Sequence, residues 1–180
     1  MRITGGILKG RRIEPPPGFN ARPTTDFARE GLLNILDNRY DLDSVSLLDL
    51  FAGTGAISYE MASRGSPDID LVETDRHSCD FIRVSLDRLG ISSARIHRLD
   101  VREWLKICHK SYDLIFADPP YSLKWLKEIP DMVLRSKAAG ADTVFILEHP
   151  RTIDFNAHAC FFEQRKYGNV NFSFFRKLES

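Results

Sequence analysis

Residues 45–65 read VSLLDLFAGTGAISYEMASRG. An apolar run, Val45–Phe51, meets a glycine turn, Gly53-Thr54-Gly55, and passes into a helical stretch, Ala56–Arg64, that Gly65 stops. Strand, tight turn and helix in immediate succession make half of a strand–helix–strand unit. Working outward, the pattern repeats. Ile69–Val72 reads as a strand, Arg76–Leu89 as a helix closed by Gly90, Ala94–Leu99 as a short strand and Val101–His109 as a helix. Tyr112–Ala117 is a strand, Leu123–Lys137 a helix that Pro130 kinks or splits, and Thr143–Leu147 a strand. Two β-rich segments follow, Ala159–Lys166 and Val170–Lys177, joined by a Gly168-Asn169 hairpin turn. Continuous apolar strands alternating with helices require a parallel sheet covered on both faces. The fold class is α/β, with the closing hairpin adding an antiparallel pair at one side.

Upstream of this alternation, EPPPGFNARPTTD (residues 14–26) reads as an ordered, extended connector. Arg2–Leu8 and Arg11–Ile13 are expected to form a small hairpin around Lys9-Gly10. Asp26 is placed to cap a helix carrying Phe27, Leu32, Ile35 and Leu36 at near-helical spacing.

The 180 residues suffice for one domain, and the hydrophobic fraction of 43% is ordinary for a globular protein. No apolar run approaches the roughly 20 residues of a membrane span. The N-terminus lacks the continuous apolar stretch of a signal peptide, so a soluble, cytoplasmic protein is expected. Cys79, Cys108 and Cys160 are widely spaced and without a CxxC pair, which fits neither a disulfide framework nor a metal site. Net charge is zero, against indiscriminate nucleic-acid binding. The first 25 residues differ: Arg2, Lys9, Arg11, Arg12 and Arg22 face one acid, Glu14, a local +4. Charge alone reads equally as a solvated end or a phosphate-contacting patch.

In open α/β sheets ligands bind beyond the carboxyl ends of the strands. The first strand ends in Asp49 and the Gly53/Gly55 turn, where the backbone can approach a ligand; a tight turn with no ligand is the alternative. The second ends at Glu73, at the separation where an acid accepts hydrogen bonds from a ribose. A dinucleotide fingerprint wants a third glycine where Ser58 stands. That departure and the acid at Asp49 lean away from a pyrophosphate and towards a ligand bearing an ammonium group. The third strand ends at Asp100, which can be an acceptor for an adenine amino group, the N-cap of the next helix, or both. The fourth ends in Asp118-Pro119-Pro120-Tyr121. Two prolines fix two φ angles and remove two donors, a stiffness useful where something must be held.

This constellation resembles the class I S-adenosylmethionine-dependent methyltransferases, whose [DNS]PP[YFW] signature marks enzymes that methylate planar amino groups. The N-terminal third is similar to the bacterial RsmD-type family of 16S ribosomal RNA guanine-N2 methyltransferases. The similar residues are Arg2-Ile3-Thr4-Gly5-Gly6, Lys9-Gly10-Arg11-Arg12, Arg22-Pro23-Thr24-Thr25-Asp26, Arg29-Glu30 and Leu32-Leu33-Asn34-Ile35-Leu36. DLFAGTGAISYEMASRG and Tyr167-Gly168 fit too, while Ser85 stands near where many relatives carry an asparagine. The resemblance implies a Rossmann-like methyltransferase fold, with a seven-stranded, mostly parallel sheet, an antiparallel last strand and an N-terminal β-hairpin extension. Residues 1–25 would be the RNA-contacting extension and 26–180 the methyltransferase domain. It implies S-adenosylmethionine held by Asp49, Phe51, Gly53, Gly55, Glu73 and Asp100, and an amine held by Asp118, Pro119, Pro120 and Tyr121. Lys9, Arg11 and Arg12 would contact phosphates; Arg22, Thr24 and Thr25 are assigned to RNA or cofactor without a choice between them. The implied partner is 16S RNA in a small-subunit assembly, bound by a monomer. Methylation of another RNA, of DNA adenine or of a protein glutamine remains compatible with the Asp118 turn, and a nicotinamide-dependent reductase is a more distant alternative.

Overall fold

The computed structural model describes residues 1–15 and 26–178. Their helices are α1 (Asp26–Arg39), α2 (Ala56–Ser63), α3 (Arg76–Leu89), α4 (Val101–Ile107) and α5 (Ile129–Arg135). The strands are β1 (Leu47–Leu50), β2 (Ile69–Glu73), β3 (Ala94–Arg98), β4 (Tyr112–Ala117), β5 (Ala139–Pro150), β6 (Phe161–Tyr167) and β7 (Val170–Phe175). Among the described residues they form one sheet of seven strands in the order β3-β2-β1-β4-β5-β7-β6. β1 to β5 pair in parallel; β7 runs antiparallel between β5 and β6. The expected α/β, mostly parallel architecture is present.

Alternate residues of the inner strands face opposite layers. Leu47, Leu71, Phe116 and Ile146 pack with Leu33 of α1, Met61 of α2 and Ile82 of α3. Leu48, Leu50, Ile115 and Phe145 pack with Leu105 of α4 and Val133 of α5. Burial on both faces explains why β1 and β4 read as unbroken apolar runs rather than alternating ones.

Three expectations need adjusting. The N-terminal hairpin is present but short: an antiparallel bridge, Arg2 with Arg12, is flanked by Ile3 N–H on Arg11 O at 3.0 Å, Gly10 N–H on Ile3 O at 2.8 Å and Ile13 N–H on Met1 O at 3.1 Å. Beyond residue 3 the chain leaves the pairing, with Ile7 N–H on Ser63 O at 2.7 Å and Leu8 N–H on Ser63 Oγ at 2.9 Å. The segment therefore docks on α2. Gly6 sits at φ +72° so close to α2 that a Cβ would lie 1.8 Å from Ser63 O. The expected Leu123–Lys137 helix is a 3-10 turn at Leu126–Glu128 followed by α5. Pro130 has no N–H and its ring would strike the carbonyl four residues back, so the helix begins around it instead of running through it. β5 extends well beyond Thr143–Leu147, because β4 and β7 pair with it from either side.

Candidate active site

The strand order reverses direction between β1 and β4, whose connections leave to opposite sides. That switch point is where an open sheet leaves a crevice. The register sets Leu50 beside Ala117, so the two signature turns emerge together. Asp118 N–H reaches Leu50 O at 3.4 Å, tying the Asp118 turn to the last residue of β1.

From β1, Phe51 takes φ 60°, Gly53 φ 55° and Gly55 φ 77°. A left-handed conformation at a bulky residue is strained and persists only where its surroundings over-determine it. Gly55 also lies on the Tyr59 ring, where a Cβ would come within 2.8 Å of Cζ. Both glycines are thus required by the backbone. Asp49 is not presented at the rim. It is 2% exposed beneath the turn and accepts a hydrogen bond from Ser58 Oγ at 2.6 Å. Burial pushes its carboxyl up to about 7; the Ser58 hydrogen bond opposes this and the nearby Glu73 charge adds to it. Ser58, whose presence breaks the dinucleotide fingerprint, is the partner of that buried acid.

Glu73 is a staple between two strand ends. Its carboxylate accepts from Gly53 N–H at 2.8 Å, Thr74 N–H at 2.7 Å and Asp75 N–H at 2.8 Å. Thr74 Oγ1 also lies 3.3 Å from Oε1, so Oε1 is filled, while Oε2 accepts only from Gly53 N–H among the described residues and keeps a lone-pair site for a hydroxyl donor. Asp100 caps α4 through Arg102 N–H at 2.9 Å, so the capping alternative holds. The Arg102 guanidinium beside it also keeps its carboxyl below the usual range. Two acids and two close-approach glycines around one crevice are a donor–acceptor set suited to hydroxyl and amino groups of a nucleoside.

At the end of β4, Asp118 is half-buried, Pro119 buried and Pro120 exposed. Among the described residues nothing donates to the Pro119 carbonyl. Tyr121 is half-buried, and its hydroxyl donates to Glu148 Oε1 at 3.1 Å. Glu148 lies near the end of β5 and is 4% exposed. Sequence reasoning missed it. Its only signal was an acid at the end of a fifth apolar strand, the position that had marked Glu73 and Asp118. Trp125 was missed as well; its ring lies 5.9 Å from that of Phe51.

The described part of the N-terminal basic group is exposed: Arg2, Lys9, Arg11 and Arg12. Arg22, Thr24 and Thr25 lie outside the described residues. The segment is anchored by buried Glu60, which accepts from Thr4 N–H at 2.9 Å and pairs with Arg64 and Arg29. Arg29, 1% exposed, donates to Arg2 O at 3.0 Å. Much of the Arg2–Gly6 and Arg29-Glu30 pattern is therefore a docking joint. Among the described residues no cluster of His, Cys, Asp and Glu could hold a metal ion, and no helix is long and apolar enough to cross a membrane.

The family model "Conserved hypothetical protein 95" matches residues 1–176. The chain belongs to this RsmD-type methyltransferase family. Ribosomal RNA small subunit methyltransferase D of Buchnera aphidicola (subspecies Baizongia pistaciae) is 30% identical over 86% of this chain and 78% of its own. Putative rRNA methyltransferase YlbH of Bacillus subtilis is 30% identical over 86% and 85%. A hypothetical protein of Thermus thermophilus has a solved structure that superposes with a TM-score of 0.87 at 28% identity, covering 98% of this chain and 99% of its own.

Proposed function

We propose that this protein transfers a methyl group from S-adenosylmethionine to the exocyclic N2 amine of a guanine in 16S ribosomal RNA. It acts as a cytoplasmic monomer on the small subunit or its precursor. The observation that carries this reading is the Asp118-Pro119-Pro120-Tyr121 turn held against the end of β1 at the switch point. Membership of the RsmD-type family and the names of two relatives support the RNA substrate.

S-adenosylmethionine would supply a methyl group on a sulfonium, open to in-line displacement. Glu73 would accept from its ribose and Asp100 from its adenine amino group, while Gly53 and Gly55 would let the backbone approach. The acceptor amine is neutral at pH 7, so no proton need be removed before attack; it needs aim. The Asp118 carboxylate and the Pro119 carbonyl each accept one amine N–H, which directs the remaining lone-pair density at the methyl. As the N–CH3 bond forms and the S–CH3 bond breaks, leaving neutral S-adenosylhomocysteine, Asp118 would stabilise the positive charge on the amine until its proton passes to solvent. Orientation of this kind can recover about 7–11 kcal/mol of barrier. That is why the turn is stiff. Tyr121 stacks on the flipped base for about 1–3 kcal/mol, offsetting part of the unstacking cost. Its bond to Glu148 holds the ring in place.

Methylation assays with labelled donor on small subunits, naked 16S RNA, DNA and protein, read by nucleoside mass spectrometry, test the reading. N2-methylguanosine in 16S RNA is expected. Label appearing instead as N6-methyladenine or on a protein amide sinks it. Lys9, Arg11 and Arg12 contact phosphates in this scheme. Replacing all three by alanine should flatten the log–log salt dependence of RNA binding by about 0.7–0.9 for each phosphate that is no longer neutralised. An unchanged slope removes them from the interface.

A further inference from the structure

A second planar arrangement lies at the same rim, beside the clamp. Arg102 turns back onto Asp100, with Nε 3.0 Å from one carboxylate oxygen and Nη2 3.3 Å from the other. The same guanidinium lies over the indole of Trp125, 5.0 Å from the ring centroid. Trp125 in turn meets Phe51 at an interplanar angle of 41°. The parts come from the carboxyl end of β1, the carboxyl end of β3 and the segment following the Asp118 turn. Stability does not account for the arrangement. The side chains of Arg102 and Asp100 are 52% and 37% exposed, and an ion pair that open contributes little to folding. The strained φ of Phe51 also places a ring here at some conformational cost.

A guanidinium is flat, carries N–H donors along its edge and stacks on indole. An adenine has the same two features: a flat face, and an amino group that donates from its edge. Asp100 and the Trp125 face are therefore matched to an adenine by the same geometry that now holds the arginine. We propose that Trp125 is the stacking face for the adenine of S-adenosylmethionine, and that Arg102 is a place-holder which the incoming cofactor displaces. This rests on the cofactor reading above. Arg102 is thus a competitor for the adenine subsite, and removing it has the opposite sign from removing Trp125. An exposed ion pair and an exposed cation–π contact are both weak, so the competition is mild. It keeps the indole and the carboxylate covered and pre-oriented between turnovers.

Calorimetry with S-adenosylhomocysteine on the full chain provides the test. Arg102→Ala should tighten binding by about two- to fivefold, since the arginine competes only through weak, exposed interactions. Trp125→Ala should weaken it by about tenfold, and Trp125→Phe should keep most of the affinity, because one aromatic face replaces another. The chain has two tryptophans. A Trp104→Phe variant therefore reports Trp125 alone, and its emission should change with S-adenosylhomocysteine or adenosine but not with homocysteine. The inference is overturned if Arg102→Ala weakens binding or leaves it unchanged, or if the lone Trp125 stays silent while the ligand binds. A wild-type protein that binds no S-adenosylhomocysteine overturns the cofactor reading, and this inference with it. A wild type that binds normally with Trp125 variants indifferent overturns this inference alone.

Discussion

Asp49 and Asp70 sit on neighbouring strands, β1 and β2, each 2% exposed, and their surroundings treat them in opposite ways. Asp70 lies near the amino end of its strand, away from the rim. It accepts from His97 Nε2 at 2.6 Å, Arg95 Nη2 at 2.9 Å and Tyr112 Oη at 2.8 Å, and pairs with Lys110 at 2.7 Å. Burial alone would raise its pKa, but these partners together hold the carboxyl well below the usual range. Asp49 lies at the ligand end with one hydroxyl donor, Ser58, and its carboxyl is raised to about 7. The lower end of the sheet is charge-compensated and structural. At the upper end, Asp49 is buried without a cationic partner among the described residues, just beneath the turn where the cofactor is proposed to bind. A buried acid so perturbed beside a crevice distinguishes the working rim from the scaffold.

The comparison can be broken most severely at the rim. Asp118→Ala should abolish methyl transfer, with at least about a thousandfold loss expected from removing an aligning acceptor, while S-adenosylhomocysteine affinity and melting temperature stay near wild type. Asp118→Asn should keep some activity, because asparagine also accepts an N–H. Full activity in the alanine variant contradicts the role given to the turn. At the scaffold end the pattern should invert. Asp70→Ala leaves four cationic or ionisable partners, His97, Arg95, Lys110 and Tyr112, around a buried gap and should cost about 2–4 kcal/mol, allowing for their partial exposure. Activity per folded molecule should be unchanged. Because the folded pKa of Asp70 is depressed, its contribution is fully present above the unfolded carboxylate range and is lost as pH falls from that range through the folded value. The stabilities of the two proteins, measured by denaturant unfolding, should therefore converge at low pH.

Asp49 should show the reverse sign. Its pKa rises on folding from 3.8 to about 7, so the native state holds a proton that the unfolded chain has released. Stability from this group falls as pH rises through that interval, by an amount on the order of a few kcal/mol. Asp49→Asn should raise the melting temperature at pH 8 and leave it nearly unchanged at pH 4; equal shifts at both would show that the carboxyl is not titrating as described. The smallest effect belongs to Tyr121→Phe. The ring remains, so stacking persists, while the buried Glu148 acceptor loses one donor. A rise in KM of less than about tenfold with little change in kcat is expected, corresponding to one hydrogen bond. A collapse of kcat would make the hydroxyl part of the chemistry.

Much of this is legible in the sequence. The strands and helices from β1 to β4 follow from apolar runs punctuated by Gly53, Gly55, Gly65 and Gly90, all local signals. Pro130 reads as a break, though its place at the start of α5 does not. The N-terminal hairpin is shorter than the sequence suggests because Ile7 and Leu8 donate to Ser63, more than fifty residues away in sequence, instead of continuing the pairing. Asp100 has two readings from sequence, and the structure shows the cap while leaving the acid at the rim. Asp49 is expected at the ligand and is found beneath the turn, since strand alternation does not say how deep a strand-end side chain lies. Glu148 and Trp125 give almost no signal: each matters through partners that only the fold brings near.

By itself, the sequence determined the α/β alternation, the two glycines that a left-handed backbone requires, and the stiff Asp-Pro-Pro-Tyr turn at a strand end. These depend on periodicity and on φ restrictions within a few residues. Only the tertiary structure decided which strands are neighbours, and so put the Asp118 turn against β1, Glu73 on Gly53, Tyr121 on Glu148 and Arg102 between Asp100 and Trp125. It also decided that, among the described residues, Asp70 is charge-compensated and Asp49 is not. Burial and partner number set the fate of a carboxylate, and both are supplied by segments distant in the chain.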